Sequence, residues 1–257
     1  MTSLQAPGLD ALEDVLALVE GSSRTTGRTP ASCLAPDARA WLASSEQGLT
    51  AAIESVSGAE ASTAALARLA PSSLAVVATV RSDQACWAEI ARHSDAEPET
   101  CLAGLTYGPG GQVSRLVWLQ APLVPPSALD DVESVPDGRP ILERYFADLM
   151  ASRFRDAAAH FAAGTLYSHP PYAGGDARVL FRGRDALELG FATERGASPA
   201  RQIVTNLWQR DSRVFVEGII EGIPAGGTFF STAEISREGE IDRYVAFYSA
   251  ARIPGAQ

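Results

Sequence analysis

Residues 211–217, DSRVFVE, and residues 239–247, GEIDRYVAF, each have a counterpart 128 positions earlier, DQACWAE at 83–89 and GQVSRLVWL at 111–119. In this ungapped register Asp83/Asp211, Glu89/Glu217, Thr100/Thr228, Gly111/Gly239, Arg115/Arg243 and Val117/Val245 are identical, while Trp87/Phe215 and Val113/Ile241 keep their character. Upstream, with small gaps, FAAGTLYSH (161–169) aligns with LAPDARAWL (34–42). A unit written twice in 257 residues predicts two domains of one architecture. The stretch between the copies, APLVPPSALDDVESVPDGRP, is rich in proline and acid without a sustained period, which reads as an extended linker. The expected organisation is a first domain over 1–122, a linker over 123–137 and a second domain over 138–257.

Each copy carries the same order of signals. An amphipathic helix opens it, LDALEDVLALVEG in the first and PILERYFADLM in the second, where Pro140 is tolerated in the first turn. A second short helix, an extended segment and a polar helical stretch (RGRDALELGFATERG) follow. Four strand-like runs close the unit in meander order: RQIVTNLWQ, RVFVEGIIEG, GTFFSTAEI and IDRYVAFYSA, separated by turn-rich residues. Helices first and an antiparallel sheet afterwards is an α+β arrangement. In RVFVEGIIEG one face is Val214, Val216 and Ile220, predicted to pack on the helices. The other mixes Phe215, Glu217, Ile219 and Glu221, and suits sheet-to-sheet packing.

Composition excludes several functions. The net charge is −10, so sequence-independent nucleic-acid binding, which needs clustered cations, is not expected. All the basic residues are arginine. Without lysine there is no Schiff-base chemistry and no Walker-type phosphate loop. Cys33, Cys86 and Cys101 show no paired spacing, and His93, His160 and His169 lie far apart; no metal site and no cofactor are expected. The N-terminal segment lacks the basic start of a signal peptide, and no apolar run approaches the roughly 20 residues of a bilayer span. A cytoplasmic protein with no membrane partner is the expectation.

With these elements in place, both units resemble the nuclear transport factor 2-like fold, the cone-shaped α+β unit of ketosteroid isomerases and SnoaL-like polyketide cyclases. The resemblance covers about 138–254 and, more faintly, 8–122, and its most specific stretch is RYFADLMASRFRDAAAHFAAGTLYSHP from Arg144. It implies two tandem cone-shaped units, each with N-terminal helices packed on a curved antiparallel sheet around a ligand pocket. It further implies pairing through the outer sheet faces, here an intramolecular pseudo-dimer of the two units or a homodimer. Residue by residue, Tyr145 matches the tyrosine that donates to the developing oxyanion, and His169, before Pro170, falls where the isomerases place a general-base aspartate. Ser231 or Thr232 falls near the second oxyanion donor, and Ser249 replaces the acid of a terminal aromatic-aromatic-Asp pattern. Tyr172 and Trp208 complete the candidate substrate-binding set. Two carboxyl positions thus carry hydroxyls, so steroid isomerisation as such is not supported.

A histidine remains a competent base near neutral pH. The reading is a pocket for a small apolar carbonyl- or epoxide-bearing molecule, with isomerase, cyclase or hydratase chemistry by His169 and Tyr145. The alternative is a non-catalytic ligand-binding or interaction module of the same fold. Glu217 and Glu221 fall on the face opposite the apolar core and read as structural. Arg243 and Arg115 read as a recurrent strand ion pair. In the first unit Leu16 or Ala17 stands at the place of Tyr145, and Leu42 at that of His169, so that copy reads as degenerate.

Overall fold

The computed structural model describes residues 12–17, 32–42, 54–69, 73–93, 99–121, 124–127, 134–172, 178–223, 226–249 and 252–255. Most of the first predicted helix and the middle of the predicted linker lie outside these residues; residues 12–17 are helical. The chain divides into two compact units, the first ending at Pro126 and the second running from Ser127 to Gly255.

In the first unit the described elements are β1 (Leu34–Leu42), β2 (Glu54–Ser57), α1 (Ala59–Ala67), β3 (Ser73–Arg81), β4 (Ala85–His93), β5 (Glu99–Tyr107) and β6 (Val113–Ala121). In the second they are α2 (Gly138–Met150), α3 (Phe154–Ala159), β7 (Phe161–His169), β8 (Val179–Arg182), α4 (Arg184–Gly190), a π-helical turn (Phe191–Arg195), β9 (Arg201–Arg210), β10 (Arg213–Glu221), β11 (Gly227–Ile235) and β12 (Ile241–Ser249). The six-stranded sheets have one topology, β2-β1-β6-β5-β4-β3 and β8-β7-β12-β11-β10-β9. Both are α+β units. One expectation needs correction: the sheets are mixed, because β1 pairs with β6 and β7 with β12 in parallel. The meander is antiparallel as expected, but the extended segment before it returns along the last strand.

The 128-residue register survives in detail. A bulge in β3 opposite Ile90/Glu89 recurs in β9 opposite Gly218/Glu217. An extra residue in β6, Ser114, recurs as Asp242 in β12. Gly111 and Gly239 both take positive φ, 73° and 79°, in the turn before the last strand, a conformation glycine adopts without penalty. The shared threonines hold the chain after that strand: Thr100 donates to the Val124 carbonyl at 3.0 Å, and Thr228 accepts from the Ile253 amide at 2.8 Å.

In the second unit α2 starts at Asp137, whose carboxylate accepts from the Arg139 amide at 3.0 Å, while Gln209 Oε1 accepts from the Gly138 amide at 2.7 Å. Its buried stripe, Ile141, Leu142, Tyr145, Phe146 and Leu149, follows helical spacing. It packs on the inner sheet face, Val214, Val216 and Ile220 of β10 with Phe229, Ala233, Tyr244 and Ala246. The opposite face is also buried and carries Phe215, Glu217, Phe230 and Phe247. There Glu234 meets two guanidiniums, Arg213 at 2.5 Å and Arg243 at 3.4 Å. At the equivalent place in the first unit Thr106 stands for Glu234, and Arg115 lies over the Trp87 indole at 6.0 Å. The two arginines therefore have different surroundings.

Candidate functional site

The inner face of β7 carries Tyr167 and then His169, its last residue. Pro170 and Pro171 follow; neither has an amide hydrogen, so the ladder cannot continue and the chain turns away. His169 Nδ1 lies 2.6 Å from the Pro170 carbonyl. A carbonyl oxygen can only accept, so Nδ1 carries the ring proton and Nε2 keeps its lone pair. The imidazole is stacked with two phenols, Tyr172 at 4.8 Å and Tyr167 at 6.3 Å between ring centroids.

These groups border a cavity of about 490 Å³ within the second unit. Leu149 of α2 roofs it; Ile220, Phe229, Ala246 and Tyr248 form the sheet side; Pro170, Pro171 and Tyr172 form one rim, and Arg195, residues 197–200 and Gln202 the other. The walls are largely apolar. Its charged side chain, among the described lining residues, is Arg195.

Burial removes the hydration an imidazolium would need and is the main reason the His169 pKa falls to about 4. The guanidiniums of Arg178 and Arg195 push it further down, while the bond to Pro170 opposes the fall. His169 is neutral at pH 7. Burial raises the Tyr172 pKa to about 12, so its phenol keeps its proton. Behind it runs a chain of hydroxyls: Tyr145 donates to Tyr167 at 3.3 Å, and Tyr167 Oη lies 3.3 Å from Tyr172 Oη. Either hydroxyl of the Tyr167–Tyr172 pair can donate; when Tyr167 does, the Tyr172 hydrogen is left for the cavity. Tyr145 and Tyr167 are fully buried, which moves both pKa values well above the ordinary phenol range.

His169 and Tyr172 thus border one cavity, whereas Tyr145 lies one phenol behind it. Ser231 is on the inner face, fully buried beside Tyr244, and does not line the cavity. Thr232 pairs with Phe215 and Val245, Trp208 with Phe215, and Ser249 with Thr228, all on the opposite face. Strand alternation separates these three from the cavity. Glu217 also faces away, with Asn206 Nδ2 at 3.5 Å from its carboxylate. His160 pairs with Asp148 at 2.7 Å, outside the cavity.

Gln202 and Arg195 are among the lining residues that were not anticipated. Gln202 follows from the β9–β10 register, since it pairs with Ile220. Arg195 has no such signal: it ends a π-helical turn closed by a Gly196 amide to Phe191 carbonyl bond of 3.0 Å, which breaks the helical phase. Among the described residues no group of three or more His, Cys, Asp or Glu is placed to hold a metal, and no helix is long and apolar enough to cross a membrane.

No family model matches the sequence, and no curated protein matches it. Solved structures to which the chain is similar are nuclear transport factor 2-like, SnoaL-like and ketosteroid isomerase-like proteins, each over about half its length. An NTF2-like protein from Cytophaga hutchinsonii shares 11% identity over 44% of this chain and 90% of its own, with a TM-score of 0.35. The epoxide hydrolase/cyclase-like enzyme SalBIII, of pyran ring formation in salinomycin, shares 17% over 44% and 90%, with a TM-score of 0.36. A ketosteroid isomerase-like protein from Kribbella flavida shares 18% over 47% and 83%, with a TM-score of 0.35. The α+β assignment rests on the strand order and registers above.

Proposed function

We propose that the second unit binds a small, largely apolar carbonyl- or epoxide-bearing molecule and acts on it by proton transfer. His169 Nε2 is the base and Tyr172 the donor to the substrate oxygen, with Tyr167 and Tyr145 orienting that phenol from behind. The observation that carries this reading is the Nδ1–Pro170 bond, which fixes a single tautomer and leaves an unprotonated nitrogen on a side chain that lines an apolar cavity. With a pKa of about 4, the imidazole has the basicity of a carboxylate while carrying no charge. Proton transfer by a positioned base is a step that isomerisation, cyclisation and hydration can share.

The test uses 2-acetylnaphthalene, a bicyclic methyl ketone, in deuterated buffer. Wild-type protein is expected to catalyse deuterium uptake at the methyl group, and His169→Ala to lower that rate by about 10²- to 10⁴-fold. Retention within a few-fold refutes the base assignment. The same lowered basicity favours a second reading, a non-catalytic binding module, because a base this weak abstracts protons slowly. That reading expects binding of the ketone without exchange above buffer.

A further inference from the structure

Resting on that reading of the cavity, we infer that its ligand is an organic acid: an apolar body carrying one carboxylate, held by Arg195. The charge balance of the walls points this way. Among the described lining residues Arg195 brings a positive charge and no carboxylate answers it. Its guanidinium donates to the Gly196 carbonyl at 3.0 Å, and no ion pair joins it to an acid among the described residues. Glu194, its neighbour on the turn, is solvent-exposed and does not line the cavity. An arginine half-covered by apolar walls retains several N–H donors, in a planar fork that matches a carboxylate.

A second observation is independent of the charge. Gln202 faces the same space from β9, and its Oε1 is buried without a hydrogen-bond partner. A polar atom left so is costly unless something in the cavity answers it. The proposal places an N–H of the Gln202 carboxamide, rather than Oε1, toward the acid that the guanidinium holds. The hydroxyl of Ser198 lies on the same rim. No lining side chain carries a negative charge: His169 is neutral and the phenols keep their protons, while the Glu194 carboxylate lies outside the lining but near enough to help raise the Tyr172 pKa. Beyond the cavity, Arg178 adds positive potential without entering it; it donates to Ser168 Oγ at 2.9 Å and the Ala246 carbonyl at 2.7 Å and lies over the Phe247 ring.

The experiment compares two probes of nearly the same shape, naphthalene-2-carboxylate and 2-acetylnaphthalene, by calorimetry on the full chain at pH 7. The carboxylate is expected to bind at least about tenfold more tightly than the ketone, the range of one charge-assisted contact. Arg195→Gln should weaken the carboxylate by about ten- to a hundredfold and leave the ketone within about threefold. Arg195→Lys should restore part of the loss, which separates charge from folding damage. Equal or weaker binding of the carboxylate, or equal losses for both probes in Arg195→Gln, overturns the acid inference and leaves the cavity reading standing. Binding of neither probe to the wild-type protein overturns both.

Discussion

At the scale of the residue, the roles proposed for His169 and Tyr172 are testable apart from any natural substrate. The folded pKa of His169 is about 4 against an ordinary 6.5. Below pH 6.5 the unfolded chain therefore takes up a proton that the folded protein refuses. Stability is at its plateau above 6.5 and is lost as pH falls from 6.5 to 4, by about 3 kcal/mol over the window. Urea denaturation at pH 7 and 4.5 should show most of that loss, and His169→Asn should flatten this part of the profile; an unchanged slope would mean that the imidazole is not buried as described. The two tyrosines separate by position. Tyr145→Phe removes a buried hydroxyl contact and should cost about 1 kcal/mol in stability while leaving ketone affinity within about threefold. Tyr172→Phe should do the reverse, with little change in stability and about a tenfold or greater loss of deuterium exchange. If Tyr145→Phe abolishes exchange as fully as Tyr172→Phe, the phenol chain acts as one catalytic unit.

At the scale of the element, hydrophobic alternation made the sheet legible. Val214, Val216 and Ile220 share the helix-facing side as their period of two demands, and the four meander strands begin and end close to their turn residues. The parallel pairing of β7 with β12 was not legible, because periodicity reports which face a residue takes and not which edge its strand joins. The π-helical turn escaped for a related reason: one residue out of phase leaves no compositional mark, and Arg195 stayed hidden with it. Glycine at 218 was readable only as a gap in the apolar face. In the fold it lies opposite the β9 bulge, and a Cβ there would come within 2.2 Å of the Phe229 ring and 2.4 Å of the Ile203 carbonyl. The ring could move, but the backbone carbonyl belongs to a paired strand. Gly218→Ala is therefore expected to destabilise the protein by about 1–3 kcal/mol and, because Phe229 lines the cavity, to weaken ketone binding as well. A denaturation midpoint equal to wild type would mean that β9 yields freely at its bulge.

At the scale of the whole molecule, duplication was the most legible property: a 128-residue register read from six identities recurs as strand order, bulges and turn glycines in both units. The candidate site was legible in part. His169 and Tyr172, both named from the sequence, line the cavity, but that Tyr145 stands behind Tyr167 depends on how deep the helix sits, which one-dimensional spacing does not encode. The molecule's charge sets a last condition on that site. A chain of net charge −10 opposes the approach of any anion, while the cavity bears a guanidinium and no carboxylate among its described lining residues. Long-range repulsion and short-range attraction respond differently to salt. Raising ionic strength from 0.01 to 0.15 M shortens the screening length from about 30 Å to about 8 Å, which removes most of the repulsion and touches the desolvated contact little. The association rate of naphthalene-2-carboxylate, followed by stopped-flow fluorescence, should therefore rise about two- to threefold over that range with a nearly constant dissociation rate. The 2-acetylnaphthalene rate should stay flat, since it carries no charge for the field to act on. An association rate for the acid that falls with salt would show that the cavity mouth, rather than the protein's net charge, governs the approach.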